Sequence, residues 1–281
     1  MKKFFLRLLL FLIFIPMLVL IIFQFNFLNF LLLNLLIIAF AVIGSVETKN
    51  FFRNNPEVKP KWAEIVMGSF FPVLSYCVLW FRDLAFLQEI WIILAIIIVL
   101  IKITFFDCKK SFSLFFPNFA SALLIIIYPG LLLSYLIKIL EFNYPSFMMM
   151  LFLGSVFGND IFAYLGGKFL GSKTRLNLKI SPNKTLIGFL TGIIFSIIYM
   201  LFFYYAIPRL FQTNIIFVIL FAILIAVTTI IGDLIESAIK RAVNIKDSGS
   251  IMMGRGGILD SIDSILISAP VFYFLYPLLS G

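Results

Sequence analysis

Histidine is absent from this chain of 281 residues, and cysteine occurs only twice, as Cys77 and Cys108. The missing histidine excludes Ser-His-Asp catalysis, a histidine general base and histidine-ligated metals. Two cysteines alone cannot form an ordinary structural zinc site, and with Cys77 inside an apolar run a structural disulfide is not expected. Any chemistry must therefore depend on Asp, Glu, Lys, Arg, Ser and a metal ion.

Charged residues are also scarce, at 12% of the chain, whereas 63% of the residues are hydrophobic and 36 are phenylalanine. A water-soluble domain of this size would not tolerate that composition. Apolar runs of about 17–25 residues, the length that crosses a hydrocarbon core, repeat along the chain. The sequence therefore predicts an all-α, polytopic membrane protein with about nine transmembrane helices. The predicted spans are 4–23, 27–46, 65–81, 90–106, 113–137, 146–166, 185–207, 215–236 and 258–278.

Lysine and arginine predict the orientation of these spans. With the N-terminus in the cytoplasm, 18 of the 22 Lys and Arg residues fall in cytoplasmic segments, and only Arg82, Lys138 and Arg209 fall outside. This asymmetry satisfies the positive-inside rule and leaves the C-terminus external. We therefore expect a multi-pass protein of a bacterial-type cytoplasmic (inner) membrane, whose net charge of +9 contacts anionic lipid rather than nucleic acid.

Five carboxylates interrupt the apolar runs in three places: Asp160, Asp233 with Glu236, and Asp260 with Asp263. An acid within a membrane costs roughly 2.5–3.5 kcal/mol on insertion scales, so it is a functional hypothesis by default. In the predicted topology all five lie at one depth, on the cytoplasmic side. We therefore expect a functional site there. We divide the chain into N-terminal transmembrane helices, 1–145, and a C-terminal catalytic region with cytoplasmic loops, 146–281.

The segment from 232 to 241 carries acids at the inner end of a predicted helix and bases one turn later. Its polar residues are spaced by three, four or seven positions, so most of them share one helical face. A phosphate site would use that face, and so would an ordinary helix end whose i,i+4 ion pairs snorkel to the interface. Both interpretations stay open. The residues concerned are Asp233, Glu236, Ser237, Lys240 and Arg241.

A glycine-rich stretch, residues 246–257, runs directly into the span that carries Asp260 and Asp263. Such a turn presents backbone N–H groups and the positive end of a helix to an anion. The two aspartates, three residues apart, direct their carboxylates the same way, as a hard cation such as Mg²⁺ requires. A plain reversal between spans would also use glycine, but it would not bury two acids in the following span.

Further upstream, Asp160 precedes a Gly-Gly pair at 166–167, and a polar block follows at 181–185. The glycines can permit close helix packing. Ser181 and Thr185 can cap a helix. These structural roles do not account for Asp160, which therefore stays a candidate for the site.

The residues from 237 to 263 resemble the signature of the phosphatidate cytidylyltransferases (CDP-diacylglycerol synthases), and the resemblance extends over about residues 155–270. A signature of this length with fixed spacing is highly specific. The matching positions are Ser237, Lys240, Arg241, Lys246, Asp247, Gly249, Gly256, Gly257, Asp260 and Asp263, with Asp160, Ala163, Tyr164, Gly167, residues 180–185, Gly232 and Asp233 upstream.

The resemblance implies a nucleotidyltransferase of phospholipid biosynthesis, which joins CTP to phosphatidate and releases CDP-diacylglycerol and pyrophosphate. It implies Mg²⁺ held by Asp233, Asp260 and Asp263, with a second cation left open. The other implied catalytic residues are Lys240, Arg241, Lys246 and Asp247. The implied substrate-binding residues are Asp160, Ser181, Lys184, Glu236, Ser237, Arg255, Gly256 and Gly257. The implied partners are CTP, phosphatidate in the inner leaflet and membrane lipids, and a homodimer stays open.

Four positions depart from the family pattern. Met253 and Arg255 replace the Pro and His of Pro-Gly-His-Gly-Gly, and Ser261 and Ile187 replace an Arg and a Glu. Arg255 can supply the charge missing at Ser261. The alternatives are an inactive homologue, a CTP-dependent enzyme acting on another lipid phosphate or a lipid alcohol, and an ion-coupled transporter. Transporters place their sites near the midplane between inverted repeats, whereas these acids are predicted at one face.

Overall fold

The computed structural model describes residues 15–53, 57–58, 60–107, 112–252 and 256–280. These residues form a helical protein in which short turns join long apolar helices. The helices are α1 (Ile15–Gln24), α2 (Phe27–Asn50), α3 (Trp62–Trp80), α4 (Phe86–Lys102), α5 (Phe115–Ile126), α6 (Leu132–Lys138), α7 (Pro145–Phe169), α8 (Leu186–Ala206), α9 (Ile215–Ala242), α10 (Leu259–Leu275) and α11 (Pro277–Ser280).

Eight helical runs in the described residues are long and apolar enough to cross a membrane. They are Phe27–Asn50, Trp62–Trp80, Arg82–Phe105, Phe112–Glu141, Pro145–Phe169, Leu186–Ala206, Ile215–Ala242 and Leu259–Ser280. Each corresponds to one of the predicted spans from the second to the ninth, so the all-α, polytopic fold is confirmed. Most of the first predicted span, 4–23, lies outside the described residues, and the orientation of the termini stays a prediction.

The chain forms two compact units. Unit 1 consists of residues 1–138 and 247–261, and unit 2 of residues 139–246 and 262–281. Segment 247–261 therefore belongs with helices that precede it by more than a hundred residues, which no sequence pattern indicated. The functional division at residue 145 stays a prediction.

Unit 1 packs α2 against α3, and α3 against α4, α5 and α6. Its apolar core comes from α3, from α5 and from the last turns of α4, where Phe71, Val99 and Ala122 are almost fully buried. A buried ion pair, Glu64 with Lys102, joins α3 to the end of α4. Unit 1 is thus a helical bundle that accommodates charge only where an opposite charge meets it or hydrogen-bond donors surround it.

Unit 2 packs α7, α8 and α9 against one another and against the part of α10 from residue 262 onward. The ring of Phe272 of α10 meets Phe152 of α7 edge-on and Phe221 of α9 at a tilt, with centroids 5.1 and 5.3 Å away. Gly232 permits the close approach of α9 to α10, because a Cβ at this position would lie 2.7 Å from the carbonyl oxygen of Asp263. This contact brings Asp233 and Glu236 of α9 next to Asp263 of α10.

A short hairpin between α7 and α8 positions Lys184 in unit 2. Leu176 N donates to Lys184 O at 2.9 Å, and Leu186 N donates to Thr174 O at 2.9 Å. Thr185 caps α8, since its hydroxyl accepts the N–H of Gly188 at 3.0 Å. The structural role predicted for Thr185 is therefore confirmed, and Thr185 rather than Ser181 is the N-cap.

Candidate functional site

Three acids of α7 and α9 lie near Asp263, in the first turns of α10, within unit 2. The carboxylates of Asp233, Glu236 and Asp160 lie close enough to Asp263 to repel its charge. We call these four residues the carboxylate cluster. Asp263 is only 8% exposed. Asp263 Oδ1 accepts the N–H of Ser264 at 2.6 Å, and Asp160 Oδ1 accepts the Ser264 hydroxyl at 3.4 Å.

Two lysines neutralise part of this cluster. Lys184 forms an ion pair with Asp233, with both side chains partly accessible to solvent, at 32% and 25% exposed. Lys240 Nζ lies 2.6 Å from Glu236 Oε2, one turn earlier on α9, and this pair is almost fully buried. The i,i+4 ion pair considered from the sequence is thus present at Glu236 and Lys240. The same contact places Lys240 beside Glu236, and the sequence had predicted both residues for the site.

Asp263 differs from Asp233 and Glu236 because no lysine or arginine of the described residues pairs with it. A nearly buried carboxylate that faces other carboxylates fits a hard divalent cation, which binds through oxygen ligands. Within the described ranges no group of three or more His, Cys, Asp or Glu side chains already has metal-binding geometry. The predicted ligand set of Asp233, Asp260 and Asp263 therefore stays a prediction.

The glycine turn, of which residues 247–252 and 256–258 are described, belongs to unit 1, and its described residues are organised around Asp260. Asp260 Oδ2 accepts three hydrogen bonds, from Ser248 N at 2.8 Å, Ser248 Oγ at 2.8 Å and Gly257 N at 2.7 Å. The next two amides, of Ile258 and Leu259, donate to Glu47 at 3.0 and 2.9 Å. The first turn of α10 is thus held by two carboxylates of the protein.

This arrangement bears on one prediction from the sequence, which stays a prediction. Gly256 and Gly257 were predicted to offer their N–H groups to a substrate phosphate. In the structure, Gly256 N donates to Met252 O at 3.2 Å and Gly257 N donates to Asp260. The amides at this helix terminus are orphan donors that need an acceptor, and the protein supplies its own. In this conformation the described amides of residues 256–259 all donate to acceptors of the protein itself.

The remaining predicted residues differ in their exposure to solvent. Arg241 is exposed at the end of α9 and donates to Ile245 O at 3.2 Å. Lys246 and Asp247 are exposed, whereas Ser237 on α9 and Ser181 in the hairpin are partly buried. Arg255 and Met253 lie outside the described residues. The exposed cations are accessible to a soluble polyanion.

A sequence model described as the cytidylyltransferase family matches residues 5–279, which is almost the whole chain. The chain belongs to the cytidylyltransferase family. This confirms the resemblance found from the residue pattern.

Proteins from several bacteria are similar to this chain. A phosphatidate cytidylyltransferase of Aquifex aeolicus is 38% identical over 158 residues, which are 56% of this chain and 57% of that protein. The Bacillus subtilis protein of that name is 35% identical over 66% of this chain and 68% of its own length. The Rickettsia felis protein is 31% identical over 73% and 86%. The chain thus covers less than two thirds of the Aquifex relative.

Glu47 is the residue of this cytidylyltransferase-family chain that sequence reasoning missed. It is 3% exposed on α2, and its carboxylate accepts the Ser248 hydroxyl at 3.0 Å as well as the two amides of α10. The predicted span ended at residue 46, directly before it, so that Glu47 was assigned to a loop. The available signal was an acid that follows an apolar run and the small residues Gly44 and Ser45.

Proposed function

We propose that this protein transfers a cytidylyl group from CTP to phosphatidate, giving CDP-diacylglycerol and pyrophosphate. The observation that carries the proposal is the carboxylate cluster with its two lysines, in a chain of the cytidylyltransferase family. The reaction brings two polyanions together, so a site for it needs acids that hold a cation and bases that hold phosphates. The proposal is supported by the acids and lysines that lie side by side in unit 2.

The phosphatidate phosphate is the nucleophile. Because the second pKa of a phosphate monoester is about 6, the group is mostly dianionic at pH 7 and needs no general base. One of its oxygens attacks the α-phosphorus of CTP, the bond to the bridging oxygen breaks, and pyrophosphate leaves. The absence of histidine is therefore compatible with this chemistry.

The lysines that pair with the cluster would bind and orient phosphates. Lys184 is partly exposed, so its ammonium can move from Asp233 to a substrate oxygen at little cost in desolvation. Lys240 is buried against Glu236, so it stays in place and adds positive charge to the site. Arg241 and Lys246 are exposed and would contact the outer phosphates of CTP.

The metal belongs to the proposal as well. Asp263 and Asp233 fit it as ligands in unit 2, and Asp260, one turn before Asp263 on α10, is the third predicted ligand. When bound, Mg²⁺ would neutralise phosphate charge as the α-phosphorus is attacked. Lys184 and Lys240 would then bind phosphates beside the cation that Asp233 and Asp263 would hold.

The membrane setting supports the same substrates. We place the protein in a bacterial-type cytoplasmic membrane, with the carboxylate cluster at the inner face. Phosphatidate has its headgroup at that interface, and CTP is cytoplasmic. A homodimer stays a prediction.

The direct test is a reaction in detergent micelles with the full-length chain, labelled CTP and Mg²⁺. We expect CDP-diacylglycerol and pyrophosphate in equal amounts when phosphatidate is present. Parallel reactions contain another lipid phosphate or a lipid alcohol in place of phosphatidate. Product only in one of those reactions would change the assigned substrate, and no product in any of them would contradict the proposed activity.

A further inference from the structure

Glu47 is a buried carboxylate of α2 to which the proposed reaction assigns no role. All three of its hydrogen-bond donors come from the segment that carries Asp260: the Ser248 hydroxyl and the amides of Ile258 and Leu259. Hydrogen bonds from N–H groups to a carboxylate are charge-assisted and roughly twice as strong as neutral ones. Glu47 therefore fixes the first turn of α10 from another helix.

Ser248 links Glu47 to Asp260. Its hydroxyl lies 3.0 Å from Glu47 Oε2 and 2.8 Å from Asp260 Oδ2. A hydroxyl has one proton and can donate to one acceptor at a time, so the two carboxylates share this donor. The Ser248 amide donates only to Asp260, at 2.8 Å. Displacement of Glu47 would thus be transmitted directly to the carboxylate of Asp260.

Two glycines of the segment are shaped around Glu47. A Cβ at Gly249 would lie 2.5 Å from Glu47 Oε1, and a Cβ at Gly257 would overlap Glu47 Oε2 and the Ser248 hydroxyl. Glycine at both positions leaves room for a carboxylate of the protein, where the sequence suggested room for a phosphate. The close fit indicates that the turn and Glu47 pack together as one structural unit.

We propose that Glu47 is a positioning residue for cytidylyl transfer. It occupies the anion position at the N-terminus of α10, closes the glycine turn around itself and fixes Asp260 through Ser248. It does not contact substrate. The catalytic consequence rests on the proposed function, whereas the order of the turn does not.

The test compares Glu47→Gln with the wild-type, full-length protein in detergent. Glutamine keeps the shape, but its amide has one acceptor oxygen, so it cannot accept from both amides and the hydroxyl as before. Hydrogen exchange should become faster at residues 248–252 and 256–260. The kcat should fall by about ten- to a hundred-fold, the range expected for losing hydrogen bonds to a charged group. The KM for CTP should change much less than kcat.

Glu64→Gln is the matched control, because Glu64 is also a buried acid of unit 1 and pairs with Lys102. It should lower the Tm but leave the kcat of the folded protein and hydrogen exchange in the turn unchanged. A general effect of losing a buried acid would appear in both variants. An effect specific to Glu47 would appear only in Glu47→Gln.

Normal exchange in the turn of Glu47→Gln would overturn the proposal, and so would faster exchange with unchanged kcat. If the wild type formed no CDP-diacylglycerol, the proposed function would fail while exchange still decided whether Glu47 holds the turn. Should Glu47→Gln not fold, Gly249→Ala retains the charge and places a methyl group against Glu47. It should loosen the same residues and lower kcat, and normal values for both would count against the proposal.

Discussion

The glycine turn and the carboxylate cluster both hold acids inside an apolar protein, but they stabilise them differently. In the turn, Glu47 and Asp260 accept hydrogen bonds from backbone amides and from Ser248. In the cluster, Asp233 and Glu236 pair with lysine side chains. Amides are fixed by the backbone, whereas the partly exposed side chain of Lys184 is flexible and can exchange one anion for another. From this difference we expect the turn to stay fixed and the cluster to respond to substrate.

The largest expected effect concerns the side of the membrane from which both regions are reached. In a variant without Cys77 and Cys108, single cysteines at Asn183, in unit 2, and Ser250, in unit 1, should both react with an impermeant thiol reagent only from the cytoplasmic side. A reporter fused at Gly281 should be external. Labelling from opposite sides would mean that one soluble nucleotide cannot reach both regions.

The next effect concerns Asp263, the acid of the cluster that no described lysine or arginine neutralises. Asp263→Asn should lower kcat by about a hundred- to a thousand-fold, as removal of one charge-stabilising group does in other active sites. Expression and elution as a folded species on size exclusion should stay normal. Hydrogen exchange at residues 248–252, which belong to unit 1 whereas Asp263 belongs to unit 2, should not change. Full activity of Asp263→Asn would remove the metal assignment.

A smaller effect is expected for Lys184, which would exchange Asp233 for a substrate phosphate. Lys184→Ala should raise the KM for CTP by about ten-fold, because a hydrogen bond to a charged group contributes roughly 1.5–3 kcal/mol. Lys179→Ala is the control, since Lys179 is an exposed cation of the same hairpin. Equal effects of the two substitutions in steady-state kinetics would attribute the change to general surface charge.

The smallest effect concerns Arg255, which lies outside the described residues, and tests whether the turn contributes a cation of its own. Arg255→Ala should raise the KM for CTP or phosphatidate several-fold. Arg255→His should retain activity below pH of about 6.5, where histidine is protonated, and lose it as the pH rises. If both variants had the kinetics of the wild type at every pH, Arg255 would not bind a substrate phosphate, and the other cations would do so.

The sequence was sufficient for the helices but not for the buried acids at their ends. Hydrophobic runs predicted eight of the observed spans, because length and composition alone decide which segment can cross a membrane. The same rule ended one predicted span before Glu47 and began another after Glu64, although both acids are buried in helices. Their burial depends on partners far away in sequence, which a local pattern cannot supply.

The acids of the candidate site were predictable for a related reason. Asp233, Asp263 and Asp160 interrupt apolar runs, and the predicted topology placed them at one depth, so their convergence could be expected. The hydrogen-bond donor that each carboxylate uses could not be predicted from the sequence. The turn resembled a phosphate site because glycine followed by a helix N-terminus has the same local pattern whether the anion is a substrate or a side chain.

The distance along the chain between Glu47 and its donors has a consequence for biosynthesis. Those donors follow Glu47 by 201, 211 and 212 residues. At roughly 5–20 residues per second, a ribosome needs on the order of 10–40 s to produce them. During that delay α2 contains an acid whose final hydrogen-bond donors do not yet exist, at a cost of roughly 2.5–3.5 kcal/mol if it enters lipid. Nascent chains that end before Ser248 should therefore keep Glu47 in contact with water or the translocation channel, and α2 would reach its native depth only after α10 has been made.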